Sequence, residues 1–213
     1  MTEQTDSQKK GFSVALGIVD FINPLTYSIN TILIAGGLRS AMNKAQWAVY
    51  LFGIILSLVI GIVIPVCKLL VGLGKIEFRL PVGLFFACNL GIFLTGAALL
   101  SLVARTGVFI AILAVLVVLV AFAGIASKKL NTSVMLMGLT GYTMIYVCMA
   151  CHAVTAGAWI SMALFALACL IMYGIIVFSM KVDLSNPNNH WWIEGLNISC
   201  QILFAIGLII LFR

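Results

Sequence analysis

From position 12 onward the chain is a succession of apolar stretches, each at least 20 residues long, divided by short polar breaks. A helix needs about 20 apolar residues to cross the hydrocarbon core of a bilayer. In that core only a helix or a closed barrel satisfies its own backbone polar groups. Seven such runs cover 12–38, 47–71, 81–104, 107–127, 133–155, 157–180 and 191–212. The strands of a barrel would alternate in polarity over about ten positions, whereas Ala111 to Ala123 is apolar throughout. The pattern predicts an all-α, polytopic integral membrane protein with about seven transmembrane helices. A short polar tail, 1–10, precedes a single transmembrane domain, 11–213.

The breaks carry the charge: Arg39 to Lys44, Lys75 to Arg79, Arg105, Lys128 with Lys129, and Lys181 to Asn189. The boundary at Thr155, Ala156 and Gly157 carries none, yet 133–180 is too long for one span, so a tight hairpin is expected there. Charged residues make up only 8% of the chain and hydrophobic ones 63%, against roughly 25% charged in a soluble domain. That balance excludes a soluble enzyme and a disordered tail. All six cysteines fall inside apolar runs, which excludes a disulfide-stapled secreted module. Lys9 and Lys10 ahead of an apolar stretch resemble a signal peptide. No small-residue cleavage site follows, and Asp20 and Asn23 interrupt the run, so it is expected to be a mature element.

On a seven-span count, Lys9, Lys10, Lys68, Lys75, Arg79, Lys128, Lys129 and Lys181 share the side of the amino terminus, and Arg39, Lys44, Arg105 and Arg213 lie opposite. The excess of basic residues places the amino terminus in the cytoplasm and the carboxyl terminus outside, in a bacterial cytoplasmic membrane or one like it. A six-span count, with the first run at the surface or re-entrant, is the competing topology. The net charge of +6 fits this orientation and contact with anionic lipid. No basic patch interleaved with aromatics points to nucleic acid. Trp47, Trp159, Trp191 and Trp192 begin the second, sixth and seventh runs, where an aromatic belt meets the headgroups. Gly83, Ala87, Gly91 and Thr95 form a stripe of small residues along the third run. Such a stripe lets another helix approach closely, for internal packing or, alternatively, for a homo-oligomer through Gly83, Ala87 and Gly91. The fourth run carries no strongly polar side chain and suits a connector between two triplets, a parallel 3+1+3 arrangement.

Within this apolar background the polar groups are the informative ones, because a charge at mid-membrane costs about 2.5–3.5 kcal/mol on insertion scales. Asp20 lies about eight residues inside the first run, a depth of roughly 12 Å at 1.5 Å per residue. Its short side chain cannot reach back to the interface from there. Lys68 and Glu194 sit nearer the same end of the second and seventh runs. A lysine between two carboxylates would offset much of the burial cost, provided the three helices are neighbours. Asp20, Asn23, Tyr27, Asn30 and Thr31 fall at offsets 0, 3, 7, 10 and 11, one helical face. Pro24 interrupts that face and frees the carbonyl of Asp20 from its backbone bond. A kinked or broken helix beside Asp20 and Asn23 is the candidate cation or proton site. Glu194, Asn197 and Gln201 make a second stripe, Asn89 with Thr95 and Thr140 with Thr143 and Tyr146 add polar groups on the third and fifth runs, and Pro65 is a second candidate kink. The same residues have a structural use as interhelical hydrogen bonds, worth ~0.6 kcal/mol each, and Lys68 and Glu194 can snorkel.

Cys148, Cys151 and His152 match the C-x-x-C-H signature of covalent haem attachment. The match lies inside an apolar helix, where thioether formation lacks an accessible segment, so buried thiols are the leading reading and haem or a redox pair the lesser one. No cofactor is expected. No nucleophile elbow, zinc-protease, P-loop or dinucleotide fingerprint occurs, and an enzyme is the least supported class. The residues point to a small membrane transporter or channel, cation- or proton-linked, with a polar pathway through the first, third, fifth and seventh runs. The alternative is a non-catalytic membrane subunit or assembly factor whose polar stripes pack against partner helices.

Overall fold

The structure, a computed structural model, describes residues 13–74, 82–104, 130–182 and 187–213. Their regular elements are all helical: α1 (Val14–Asp20), α2 (Ile22–Leu38), a short 3-10 turn (Arg39–Ala41), α3 (Lys44–Gly72), α4 (Val82–Val103), α5 (Leu130–Thr155), α6 (Trp159–Lys181) and α7 (Pro187–Leu211). With α1, α2 and the turn counted as one stretch, six helices among the described residues are long and apolar enough to cross a membrane. The first run is thus a full span in length, Val14–Ala41. The fourth run, 107–127, the tail 1–10 and the basic residues Lys75, Arg79, Arg105, Lys128 and Lys129 lie outside the described residues.

Local chemistry sets the helix ends. The Ser13 hydroxyl accepts the Leu16 amide at 3.1 Å and starts α1. Asn43 and Gln46 form a reciprocal capping box on α3, each bond 2.9 Å, which satisfies two of the amides a helix start leaves open. The Gln46 amide then reaches the Ser101 hydroxyl at 2.9 Å and ties α3 to α4. The expected hairpin after α5 is a Schellman turn. Gly157 adopts φ +71°, and the Ala158 and Gly157 amides bond back to Ala153 and Val154 at 2.8 and 3.1 Å. A left-handed residue at that position closes the last helical carbonyls, and glycine adopts it without a Cβ clash.

The first span turns a polar face into the bundle and an apolar face outward. On α1 and α2, Ile18, Leu25 and Ile32 are 57–69% exposed while Asp20, Tyr27, Asn30 and Thr31 are buried. In water that distribution would be reversed; in lipid the apolar face costs nothing and the polar face needs protein partners. Trp159 and Trp192, 61% and 66% exposed, suit the expected belts at opposite ends of the bundle. Trp47 does more than anchor: its ring stacks on Tyr50 at 5.7 Å and carries the Arg39 guanidinium at 4.6 Å.

Around the bundle the order is α2, α3, α4, α5, α6, α7 and back to α2, with α1 against α3. Directions follow from the pairing of residues. Gln46 meets Ser101 and Ser57 meets Cys88, so α3 and α4 are antiparallel. Gly138 meets Asn89 and Gly141 meets Ile92, so α4 and α5 run parallel. Asn23 meets Glu194 and Asn30 meets Gln201, so α2 and α7 are parallel too. Two up-down-up triplets therefore meet through parallel neighbours at both seams. Ala104 and Leu130 lie at opposite ends of the bundle, as the 3+1+3 order requires of the chain between its triplets. The end where α1, α4, α5 and α7 begin is called proximal below, and the end where α3 and α6 begin distal.

The small-residue stripe on α4 is used partly inside the protein. A Cβ on Gly91 would lie 2.6 Å from the Gly53 carbonyl oxygen, and one on Gly53 would lie 2.6 Å from the Thr95 hydroxyl. Such contact lets α3 and α4 gain van der Waals energy that lipid does not offer. Gly83, by contrast, faces open space.

Candidate functional site

The first span breaks one residue after Asp20. The Phe21 amide turns back to the Ile18 carbonyl at 3.2 Å, and α2 restarts at Ile22. Pro24 has no amide to offer, so the Asp20 carbonyl lacks its usual helical donor. This is the kink expected from Pro24: Phe21 keeps right-handed helical dihedrals, φ −65° and ψ −20°, so bonding is lost there without unwinding of the backbone. The kink expected at Pro65 does not interrupt α3, which is one helix from Lys44 to Gly72 with Pro65 buried within it. The Gly61 carbonyl is left without its amide in the same way.

α1 packs against α3, and α2 against α7, which brings the three ionisable groups into one cluster. The Lys68 ammonium sits 2.7 Å from Asp20 Oδ2 and 3.7 Å from Glu194 Oε1. The Asn23 amide nitrogen donates to Asp20 Oδ1 at 3.1 Å and to Glu194 Oε2 at 2.5 Å. Because both carboxylates need a donor, this fixes which way the amide points. Its oxygen is buried and has no hydrogen-bond partner among the described residues. Asp20 and Glu194 are each 7% exposed, so Glu194 does not snorkel. Two carboxylates and one ammonium leave one formal negative charge when all are ionised.

A cavity of about 250 Å³ adjoins the cluster in the proximal half. Asp20, Asn23, Pro24 and Tyr27 line it from the first span, Ser57, Leu58, Gly61, Ile64, Pro65 and Lys68 from α3, Phe85, Cys88 and Ile92 from α4, Tyr142 from α5, and Asn197 and Gln201 from α7. The expected wall of first, third, fifth and seventh runs is therefore corrected by the addition of the second. The α3 wall is mostly apolar, and a search for polar stripes passes over it. Its signal was present nonetheless: Ser57, Gly61, Pro65 and Lys68 recur at offsets 0, 4, 8 and 11, one helical face.

A layer of aromatic rings closes the cavity on its distal side. The Tyr27 hydroxyl lies 3.4 Å from Ser57 Oγ and 3.3 Å from Thr95 Oγ1. The Tyr27 ring meets Tyr142 edge-on at 6.3 Å, Tyr142 stacks on Tyr146 at 6.1 Å, and Tyr146 meets Phe204 at 4.7 Å. Behind this layer a void of about 10 Å³ touches Asn30 and Gln201, whose side chains bond at 2.7 Å. Farther on, Ile34, Leu38, Leu99, Met149 and Leu208 fill the distal half.

The remaining expected site residues are dispersed. Asn89 lies in the α4–α5 seam and bonds its own Phe85 carbonyl at 2.8 Å, outside the cavity wall. Thr140 and Thr143 likewise bond carbonyls of their own helix at 2.8 Å, and Tyr142, one position away, provides the fifth run's part of the wall. Of the haem-like motif, Cys148 is buried in the core, Cys151 is exposed and the His152 ring lies 6.0 Å from Phe212. No group of three metal-ligating side chains comes together among the described residues. No protein-family model, curated protein or solved structure matches the chain.

Proposed function

We propose that the protein is a small membrane transporter, linked to a cation or a proton, whose binding site is the Asp20–Asn23–Lys68–Glu194 cluster and the cavity beside it. The observation that carries this reading is a buried ionic cluster with one formal negative charge, set at the wall of a cavity. Buried ion pairs are poor sources of stability, since apolar residues of similar volume serve a fold as well or better. In a lipid-embedded bundle they mark solute or ion pathways. One proton or one monovalent cation neutralises the cluster. The kinked first span, with the Asp20 carbonyl freed by Pro24, and the Gly61 carbonyl freed by Pro65 on α3 put two unbonded helix carbonyls on cavity residues, the kind of discontinuity that transporters place at their sites. The aromatic layer favours a carrier over an open pore, because a channel needs a continuous wet path. On the count of basic residues, the proximal end faces the cytoplasm and the membrane is a bacterial cytoplasmic one.

The test is flux in proteoliposomes with a panel of monovalent and divalent cations and an internal pH dye, wild type against Asp20→Asn. Flux in the wild type that is lost in the variant supports a route past the first span. Equal flux in both, or none from folded protein under any gradient, refutes it.

A further inference from the structure

The cavity wall narrows what kind of cation the site can take. An inorganic cation replaces its water shell with a cage of oxygen ligands, six or more at 2.3–2.6 Å for calcium. Here Asp20 Oδ2 is taken by Lys68 and Asp20 Oδ1 by Asn23, and Glu194 is not among the lining residues at all. Much of the rest of the wall is apolar or aromatic: Leu58, Ile64, Phe85, Ile92, Tyr27 and Tyr142. A volume of about 250 Å³ is room for roughly eight waters at ~30 Å³ each, far more than a bare ion fills. Attraction at this site therefore acts across a short distance rather than through coordination. Its sources are the formal negative charge left by Asp20, Glu194 and Lys68 and the buried amide oxygen of Asn23, which lines the cavity and has no donor among the described residues. Aromatic faces add to the pull on a diffuse positive charge.

Resting on the transport reading above, we propose that the cavity takes an organic monocation with an apolar body, such as an alkylated ammonium, held against the aromatic and apolar wall by the net charge of the cluster. Two consequences separate this from direct coordination. Glu194, though outside the cavity wall, adds to the attraction beside Asp20. The apolar body needs the space beside Gly61, where an added Cβ would have Pro24 as its nearest neighbour at 3.6 Å.

The experiment uses the purified full-length protein and proteoliposomes, with tetraethylammonium as the organic probe and sodium as the inorganic one. Tetraethylammonium is expected to raise the melting temperature and to compete with cation flux, and sodium to do neither at the same concentration. Asp20→Asn and Glu194→Gln should each weaken tetraethylammonium about tenfold or more, as the loss of a nearby charge predicts at an effective dielectric constant of about 20. Gly61→Leu should abolish it by filling the cavity. If sodium or protons move through an Asp20-dependent route while tetraethylammonium neither binds nor competes, the inference falls and the transport reading stands. Tetraethylammonium binding that both charge variants leave unchanged also overturns it, since that is partition into an apolar surface. With no flux and no binding by any cation, both readings fall. Where Asp20→Asn fails to fold, Glu194→Gln and Gly61→Leu decide.

Discussion

Two glycines on α4, two turns apart, are expected to respond to the same substitution with opposite sign. At Gly91 an added Cβ lies 2.6 Å from the Gly53 carbonyl oxygen and 2.7 Å from the Ser57 backbone nitrogen, where ordinary contact begins at 3.4 Å. Both obstacles on α3 include backbone, so relief requires the helices to part by up to about 0.8 Å. Overpacking of this kind costs about 1–3 kcal/mol, of which Gly→Ala recovers up to ~1 kcal/mol in helix propensity. Gly91→Ala should therefore destabilise by up to about 2 kcal/mol. Gly83→Ala meets nothing within 4 Å and keeps only the propensity gain of at most ~1 kcal/mol. The propensity gain is common to both, so the gap is the overpacking cost of about 1–3 kcal/mol; at roughly 2–4 °C per kcal/mol for a chain of this size, the two variants should melt about 2–12 °C apart. Thermal unfolding in detergent, read by a thiol-reactive dye on the cysteines that unfolding exposes, measures the gap. The Tyr27 hydroxyl bonds to Ser57 and Thr95, already 3.4 and 3.3 Å long, should break in Gly91→Ala, so on the proposed transport reading cation flux should fall as well. Melting temperatures within 2 °C of each other would refute the close approach of α3 and α4 and the account of the aromatic layer that rests on it.

Other perturbations bear on the cluster and the turns. Lys68→Met leaves two carboxylates without their ammonium and should cost about 3–5 kcal/mol; adding Asp20→Asn restores the original formal charge, so the double variant should lose at least ~1 kcal/mol less than the two single losses together. Additive losses in chemical or thermal unfolding would show that the two groups do not interact. Gly157→Ala forces a side chain into a left-handed turn at φ +71° and should destabilise by about 1–2 kcal/mol, with Gly157→Asn milder; equal melting of all three proteins would argue against the turn. In the folded protein, N-ethylmaleimide should modify the exposed Cys151 while the buried Cys148 and Cys200 react only on unfolding, as peptide mass mapping before and after denaturation would record.

How far the sequence reading reached can be judged residue by residue. Hydropathy located every described span, because each must satisfy its own backbone in lipid. It also required a hairpin at Thr155 to Gly157, where two apolar runs meet without a charge. Asp20, Lys68 and Glu194 were legible one at a time, since each is costly where it stands. Their meeting was not, because it depends on α1 lying against α3 and α2 against α7, pairings that no local pattern encodes. Asn89 shows the converse: its polarity within the third run made it a pathway residue, but the rotation of α4 in the bundle turns it to the seam with α5. Leu58, Ile64 and Phe85 were invisible as a cavity wall, because an apolar side chain in an apolar helix has the same signature whether it faces lipid, core or solute. Position alone makes Trp47 a belt residue, and only the structure reveals its contacts with Arg39 and Tyr50.

The aromatic layer from Tyr27 to Phe204 has an electrical consequence. A membrane voltage falls mainly across the least conductive stretch of its path. The cavity occupies the proximal half, and close-packed side chains fill the distal one. On the proposed transport reading, in which solute enters the cavity from the proximal side, the field is concentrated across the packed distal half beyond Tyr27 and Tyr142. A monovalent ion reaching Asp20 from the proximal side crosses little of it, while passage through the distal half meets most of the ~2.3 kcal/mol per charge that 100 mV supplies. Binding from the proximal side should be nearly blind to voltage, and the step that opens the aromatic layer should carry the voltage dependence of the whole cycle.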